Sequence, residues 1–154
     1  MSLPYHCTSN MKGFLFISFF LTGCISGSYS QSNHPICITG YYSGNAQRLD
    51  SFPVEKLTHL IFSFGHLRGN KLHINNAGDT VIQKMVSFKK KNPNLKVILS
   101  LGGWGGCSTC SPVFATAAGR KEFAASVKEL TDYFHTDGID LDWEYPAIAG
   151  YPGH

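Results

Sequence analysis

The chain has 154 residues, of which 43% are hydrophobic, 13% aromatic and 15% charged, with a formal net charge of +3. That length and composition fit one folded globular domain and exclude a disordered or fibrous chain. The small, dispersed charge gives no footprint for nucleic acid, and its only basic run, Lys89-Lys90-Lys91, falls where a helix is expected to end, a place that favours cations.

The first predicted element is a targeting segment. "MKGFLFISFFLTGC" (11–24) sets one Lys before an apolar run of about a dozen residues, followed by small residues. This is a secretory h-region, too short to span a bilayer. Residues 1–10 make a poor n-region, so translation is expected to start at Met11. Leu21-Thr22-Gly23-Cys24 resembles the lipobox of bacterial lipoproteins, in which the Cys is lipid-modified and becomes the mature N-terminus. The two readings are a lipid anchor at Cys24 and ordinary cleavage near Ser28 or Ser30. Both place the protein outside the cytoplasm, secreted or attached through lipid to the membrane of a bacterial cell envelope. The expected organisation is a leader (1–24), a Ser/Gly/Asn-rich linker (25–34) and a folded domain (35–154).

Four strands are predicted beyond the linker: "ICITGYYS" (36–43), "LTHLIFSFG" (57–65), "LKVILSLGG" (95–103) and "DGIDLDWEY" (137–145). Between the first two, only "PVEKL" suits a helical turn. A helix is predicted over 79–91, where Val81, Ile82, Met85, Val86 and Phe88 recur at helical spacing. Gly78-Asp79 is expected to open it and Asn92-Pro93 to stop it. A second helix is predicted over 119–135, with Phe123, Val127, Leu130 and Phe134 as its stripe and His135 as a solvated C-terminal cation. A long Gly/Cys/Ser loop, Trp104 to Gly119, precedes it.

The cysteines number five, and Cys7 and Cys24 lie in or ahead of the leader. Cys107 and Cys110 form a C-x-x-C. No second ligand pair is nearby for zinc, and the leader argues against a cytosolic redox site, so a local disulfide is expected. Cys37 is then the odd cysteine, expected to be buried in the first strand.

Strand–helix alternation predicts βαβ units and a parallel sheet. No G-x-G-x-x-G follows the first strand, so a dinucleotide fold has no support. The predicted class is α/β, a (β/α)8 TIM barrel of which about the first four strands are present. A full barrel takes about 250 residues, so the chain reads as an N-terminal fragment of one.

The fourth strand carries the chemistry. Asp140, Asp142 and Glu144 alternate with Ile139, Leu141 and Trp143. Alternate strand residues share a face, so the acids point into the barrel and the apolar set toward the helices. Like charges in one pit cannot all ionise cheaply, so a proton is held there. Glu144, nearest the mouth, is expected to be the general acid, with Asp142 and Asp140 sharing a proton beneath it. Asp137 opens the strand and is expected to hydrogen-bond backbone. Asp142 and Glu144 are separated by roughly 6.6 Å of rise and approach a substrate from one side. That suits glycoside hydrolysis by a substrate-assisted route better than two flanking carboxylates. No metal or cofactor is needed.

"DGIDLDWEYP" resembles the D-G-x-D-x-D-x-E motif of glycoside hydrolase family 18, the chitinases and their relatives. "SLGGW" (100–104) is similar to that family's S-x-G-G motif, and "GYY" (40–42) and "HLIFSF" (59–64) look like its first two strands. The resemblance implies hydrolysis of β-1,4 links in chitin with net retention, through an oxazolinium formed by the substrate's own acetamide. Glu144 is implied as acid and base, Asp142 as the orienting carboxylate and Asp140 as its proton partner. Ser100 and Tyr41 are implied to support that charge. Trp104, Tyr145 and Phe64 are expected to stack on sugar rings, with Phe64 sharing an inward face with Phe62. Phe62 and Trp143 are assigned to the core. Ser43-Gly44-Asn45 stand where many animal members carry a Trp, which changes the outlying subsites. The implied partner is chitin or a chito-oligosaccharide, with no cofactor and no obligate protein partner. The alternatives are an endo-β-N-acetylglucosaminidase acting on N-glycans and a chitin-binding lectin of the same fold. A fragment alone is expected to be inactive.

Overall fold

The computed structural model of the chain describes residues 36–148. The expected leader, Cys24, the linker and residues 149–154 lie outside them. Strand β1 (Thr39–Tyr42) is followed by two short 3-10 helices, Ala46–Ser51 and Val54–Lys56. Strand β2 (His59–Arg68) turns back through Gly69 and Asn70 into β3 (Lys71–His73). Helix α1 (Asn76–Ser87) leads to β4 (Lys96–Gly102). Helices α2 (Cys110–Ala115) and α3 (Ala117–Phe134) then lead to β5 (Gly138–Asp142).

The main sheet runs β1-β2-β4-β5, every pair parallel, with helices α1 and α3 as crossovers. The chain is thus α/β, with four successive strands of a (β/α)8 barrel. Each strand is read correctly in kind and shorter or longer in extent. β5 stops at Asp142, so Glu144 stands beyond the strand rather than on it. β2 runs on to Arg68 and pairs antiparallel with β3, a hairpin absent from the expectations.

The core lies between the sheet and its helices. Val97, Leu99 and Leu101 alternate along β4 and are fully buried. They pack with Leu60 and Phe62 of β2, Val81, Ile82 and Met85 of α1, and Phe123 and Phe134 of α3. Each such burial stabilises the fold by about 1.5–3 kcal/mol. The intervening residues of β4, Ile98 and Ser100, face the other way, so one strand divides core from site.

Both helices begin earlier than their glycines suggest. Asn75 caps α1, its side chain accepting from Gly78 N at 2.8 Å. Thr116 caps α3 in the same way, accepting from Gly119 N at 2.9 Å. The glycines are third-position residues under close neighbours. A β-carbon on Gly78 would lie 2.9 Å from the Phe62 ring, and one on Gly119 only 2.1 Å from Val113 O. His135 ends α3 in the left-handed conformation, exposed as expected. The loop from Trp104 contains α2, which was read as irregular chain.

Two expected core residues are on the surface. Cys37 is exposed and precedes β1, because the strand begins only at Thr39. Leu141 is 54% exposed and lines an apolar pocket with Phe114, Phe123 and Trp143 rather than packing into the core. Ile139 and Trp143 do pack against the core.

Candidate active site

Three parallel strands bring the acids together with their donors. The β4–β5 register sets Ser100 opposite Asp140 and Gly102 opposite Asp142. Ser100 is fully buried, and its hydroxyl donates to Asp140 Oδ2 at 2.6 Å. From β1, the Tyr41 hydroxyl donates to the same oxygen at 3.3 Å. Asp140 is therefore held by two hydroxyls from two other strands. The Tyr41 hydroxyl is pushed above its ordinary range, by burial first and then by the charges of Asp140 and Asp142.

Asp142 sits between two carboxylates on the same face. Its pKa is raised, first by burial and then by the negative charges of Glu144 and Asp140. A carboxyl in that position retains its proton to higher pH than an ordinary aspartate. Glu144 is half-buried just past the strand. Among the described residues, no side chain donates to the carboxylates of Asp142 or Glu144.

The glycine pair after β4 makes room for this geometry. Gly103 N donates to Asp142 O at 3.1 Å. Gly102 has φ +120°, and a β-carbon there would lie 2.1 Å from that same carbonyl. Only glycine allows the backbones to approach so closely. The turn beyond delivers Trp104 to the mouth, 75% exposed and edge-on to Tyr145 at 5.9 Å. His66 Nδ1 lies 3.1 Å from Gly106 O and ties this loop to β2. Neither Gly102's steric role nor the His66 contact figured among the expectations. The wider loop is pinned by the Cys107–Cys110 disulfide, both residues buried.

Phe64 lies at the same end, and with Phe62 it borders one cavity. The β2–β4 register shifts between Phe62 and Gly65. Phe62 therefore packs toward α1, while the Phe64 ring lies over Gly103. Phe62 is buried in the core, as expected. The non-proline cis peptide bonds among the described residues, Ser63–Phe64 and Glu144–Tyr145, both fall at this end of the sheet. Beside Phe64 opens a cavity of about 550 Å³, lined in part by Ser43, Asn45, Gln47, Ser63, Asn75 and Thr80. No charged side chain lines it.

Asp137 is at the opposite end of β5. Its Oδ2 accepts from Val97 N at 2.8 Å and pairs with Lys89 at 2.5 Å, while Oδ1 meets Lys96 at 3.5 Å. Burial opposes ionisation here. The Lys89 hydrogen bond, the Val97 amide and the charges of Lys89 and Lys96 outweigh it and hold the carboxyl below the usual range. Asp137 thus fastens the start of β5 to β4, away from the other acids.

The family model described as Glycosyl hydrolases family 18 matches residues 37–152. Chitinase A1 of Niallia circulans is 45% identical over 73 residues, covering 47% of this chain and 10% of that protein. Chitinase 1 of Aphanocladium album is 33% identical over 130 residues, covering 71% of this chain and 30% of that one. Human YKL-39, described as a pseudo-chitinase that retains chitooligosaccharide binding, superposes with a TM-score of 0.60 at 30% identity, covering 71% of this chain and 33% of its own. The chain spans between a tenth and a third of the length of these relatives.

Proposed function

Since the chain belongs to family 18 of the glycosyl hydrolases, we propose that its acids serve a retaining chitinase that uses the substrate's own acetamide as nucleophile. The observation that carries this reading is the one-sided column of Asp140, Asp142 and Glu144, anchored at its base by Ser100 and Tyr41. All three carboxylates rise from one strand and its extension. None is placed to attack the far face of a sugar, which the substrate's acetamide oxygen can reach.

In this mechanism Glu144 protonates the glycosidic oxygen as the acetamide oxygen attacks the anomeric carbon. The breaking C–O pair leaves with the departing sugar, and an oxazolinium forms. Asp142 accepts the acetamide N–H, orienting the group and offsetting its developing positive charge. Its raised pKa suits a carboxyl that shares a proton with its neighbours. Ser100 and Tyr41 hold the Asp140 carboxylate as that proton shifts. Glu144 then takes a proton from water, which opens the oxazolinium with net retention. Trp104 and Tyr145 supply aromatic faces for the rings at the mouth. The uncharged amide and hydroxyl cavity beside Phe64 suits a further neutral sugar and not an anionic ligand. The apolar segment at 11–24 supports action outside the cytoplasm. The described sheet alone leaves β1 and β5 as open edges, so a cleft needs further strands to close.

The test compares fully N-acetylated and deacetylated chito-oligosaccharides on the intact protein, with the first product anomer read by proton NMR. The account predicts β-anomer product and cleavage only beside N-acetylated units. An α-anomer product, or equal cleavage of the deacetylated chain, would overturn the mechanism. Preferential cleavage of a high-mannose N-glycan would move the substrate to the endo-β-N-acetylglucosaminidase reading.

A further inference from the structure

A second reactive cluster lies at the other end of the sheet, away from Asp140, Asp142 and Glu144. Cys37 is a free, exposed thiol just ahead of β1. Its Sγ is 3.2 Å from His59 Nδ1, at the first residue of β2. The Thr58 hydroxyl lies 3.4 Å from the sulfur and 2.9 Å from the same ring nitrogen, and the Thr39 hydroxyl is 3.6 Å from the sulfur. A nucleophile, a base within reach and hydroxyls that fix both are the elements of an activated thiol.

We propose that Cys37 and His59 form a reactive thiol–imidazole pair that undergoes exchange with low-molecular-weight disulfides. His59 accepts the thiol proton, and the Cys37 sulfur attacks one sulfur of the small disulfide. A new S–S bond forms on Cys37 as the old one breaks, and the departing thiolate carries away the electron pair and is protonated. The protein thiol is oxidised and the small disulfide reduced by the same two electrons, so no further oxidant is needed.

The surroundings support this assignment. The hydrogen bond from Thr58, then that from Thr39, lowers the thiol pKa against a small opposing effect of burial. Lys96, in register with His59 on β4, is turned to Asp137. An oxidising, extracytoplasmic setting is where a leftover cysteine meets small disulfides. The other cysteines among the described residues, Cys107 and Cys110, are already joined.

The experiment exposes the purified protein to oxidised glutathione at pH 7 and maps the adduct by peptide mass spectrometry. The rate at the Cys37 peptide is compared between folded protein, the same protein in denaturant, and the His59→Gln and Thr58→Val variants. The pair predicts modification at Cys37 at least about fivefold faster folded than unfolded. It also predicts a comparable loss in either variant, recovered near pH 9, where any thiol ionises. Cys37→Ser should lose the adduct and keep glycoside hydrolysis unchanged. A folded rate no greater than the unfolded one, or variant rates that stay low at high pH, would overturn the proposal.

Discussion

Replacing Ser100 with Ala isolates one strut of the acid column. The Ser100 hydroxyl is fully buried and 2.6 Å from Asp140 Oδ2, a short hydrogen bond to a charged acceptor. Such a bond contributes about 1.5–3 kcal/mol. Among the described residues the other donor to that oxygen is Tyr41, at 3.3 Å and from a residue 57% exposed, so it compensates weakly. If the support is needed as the proton shifts, the loss appears in the transition state. That predicts a fall in kcat of roughly 10- to 150-fold, with KM changed little. Removing one oxygen leaves a small void, so the melting temperature should move only slightly. Tyr41→Phe removes the longer, exposed bond and should cost less than Ser100→Ala. The assay is steady-state hydrolysis of a chromogenic chito-oligosaccharide by the intact protein. A kcat within twofold of wild type for Ser100→Ala, or a larger loss for Tyr41→Phe, would refute the reasoning.

Asp137→Asn should lower stability by about 1–2 kcal/mol at neutral pH, because it removes the ion pairs that fasten β5 while keeping an acceptor for Val97 N. The folded carboxyl lies below its unfolded value, so this contribution is full above the ordinary aspartate pKa of about 4 and is lost as pH falls through the folded value; thermal melts should show the gap closing in acid, and a gap constant with pH would contradict it. Gly102→Ala should destabilise by about 2–3 kcal/mol and impair turnover, since its β-carbon meets the Asp142 carbonyl at positive φ; an unchanged melting temperature would remove the close-approach argument. Trp104→Ala should raise KM for long oligomers roughly three- to tenfold without changing stability, because the ring is mostly exposed; a large fall in melting temperature would reassign it to packing.

The sequence made most of the sheet legible because its strands alternate cleanly. β4 separates Val97, Leu99 and Leu101 from Ile98 and Ser100, and β5 separates Ile139 from Asp140. Where alternation failed, a local irregularity was responsible. The register shifts after Phe62, and the Phe64 ring lies over Gly103. The helix starts were misplaced because Gly78 was read as opening the first helix and Gly119 as ending the loop before the second. Their caps, Asn75 and Thr116, stand three residues earlier, and the glycines answer to packing. The β2–β3 hairpin had its signal in Gly69-Asn70 between "HLR" and "KLH", a two-residue turn of the kind hairpins use. The close crossing of Gly102 with Asp142 was not legible, since it depends on the register of two strands about forty residues apart. The exposure of Cys37 and its contact with His59 likewise depend on where β1 begins relative to β2.

The central claim is that Glu144 transfers the proton at the glycosidic oxygen while the rest of the site binds sugar. Glu144→Gln in the intact protein tests it most directly, with turnover and oligosaccharide affinity measured on one preparation. The account predicts a fall in kcat of about 10²–10⁴-fold with binding of N-acetylated chito-oligosaccharides retained. Turnover close to wild type would contradict it.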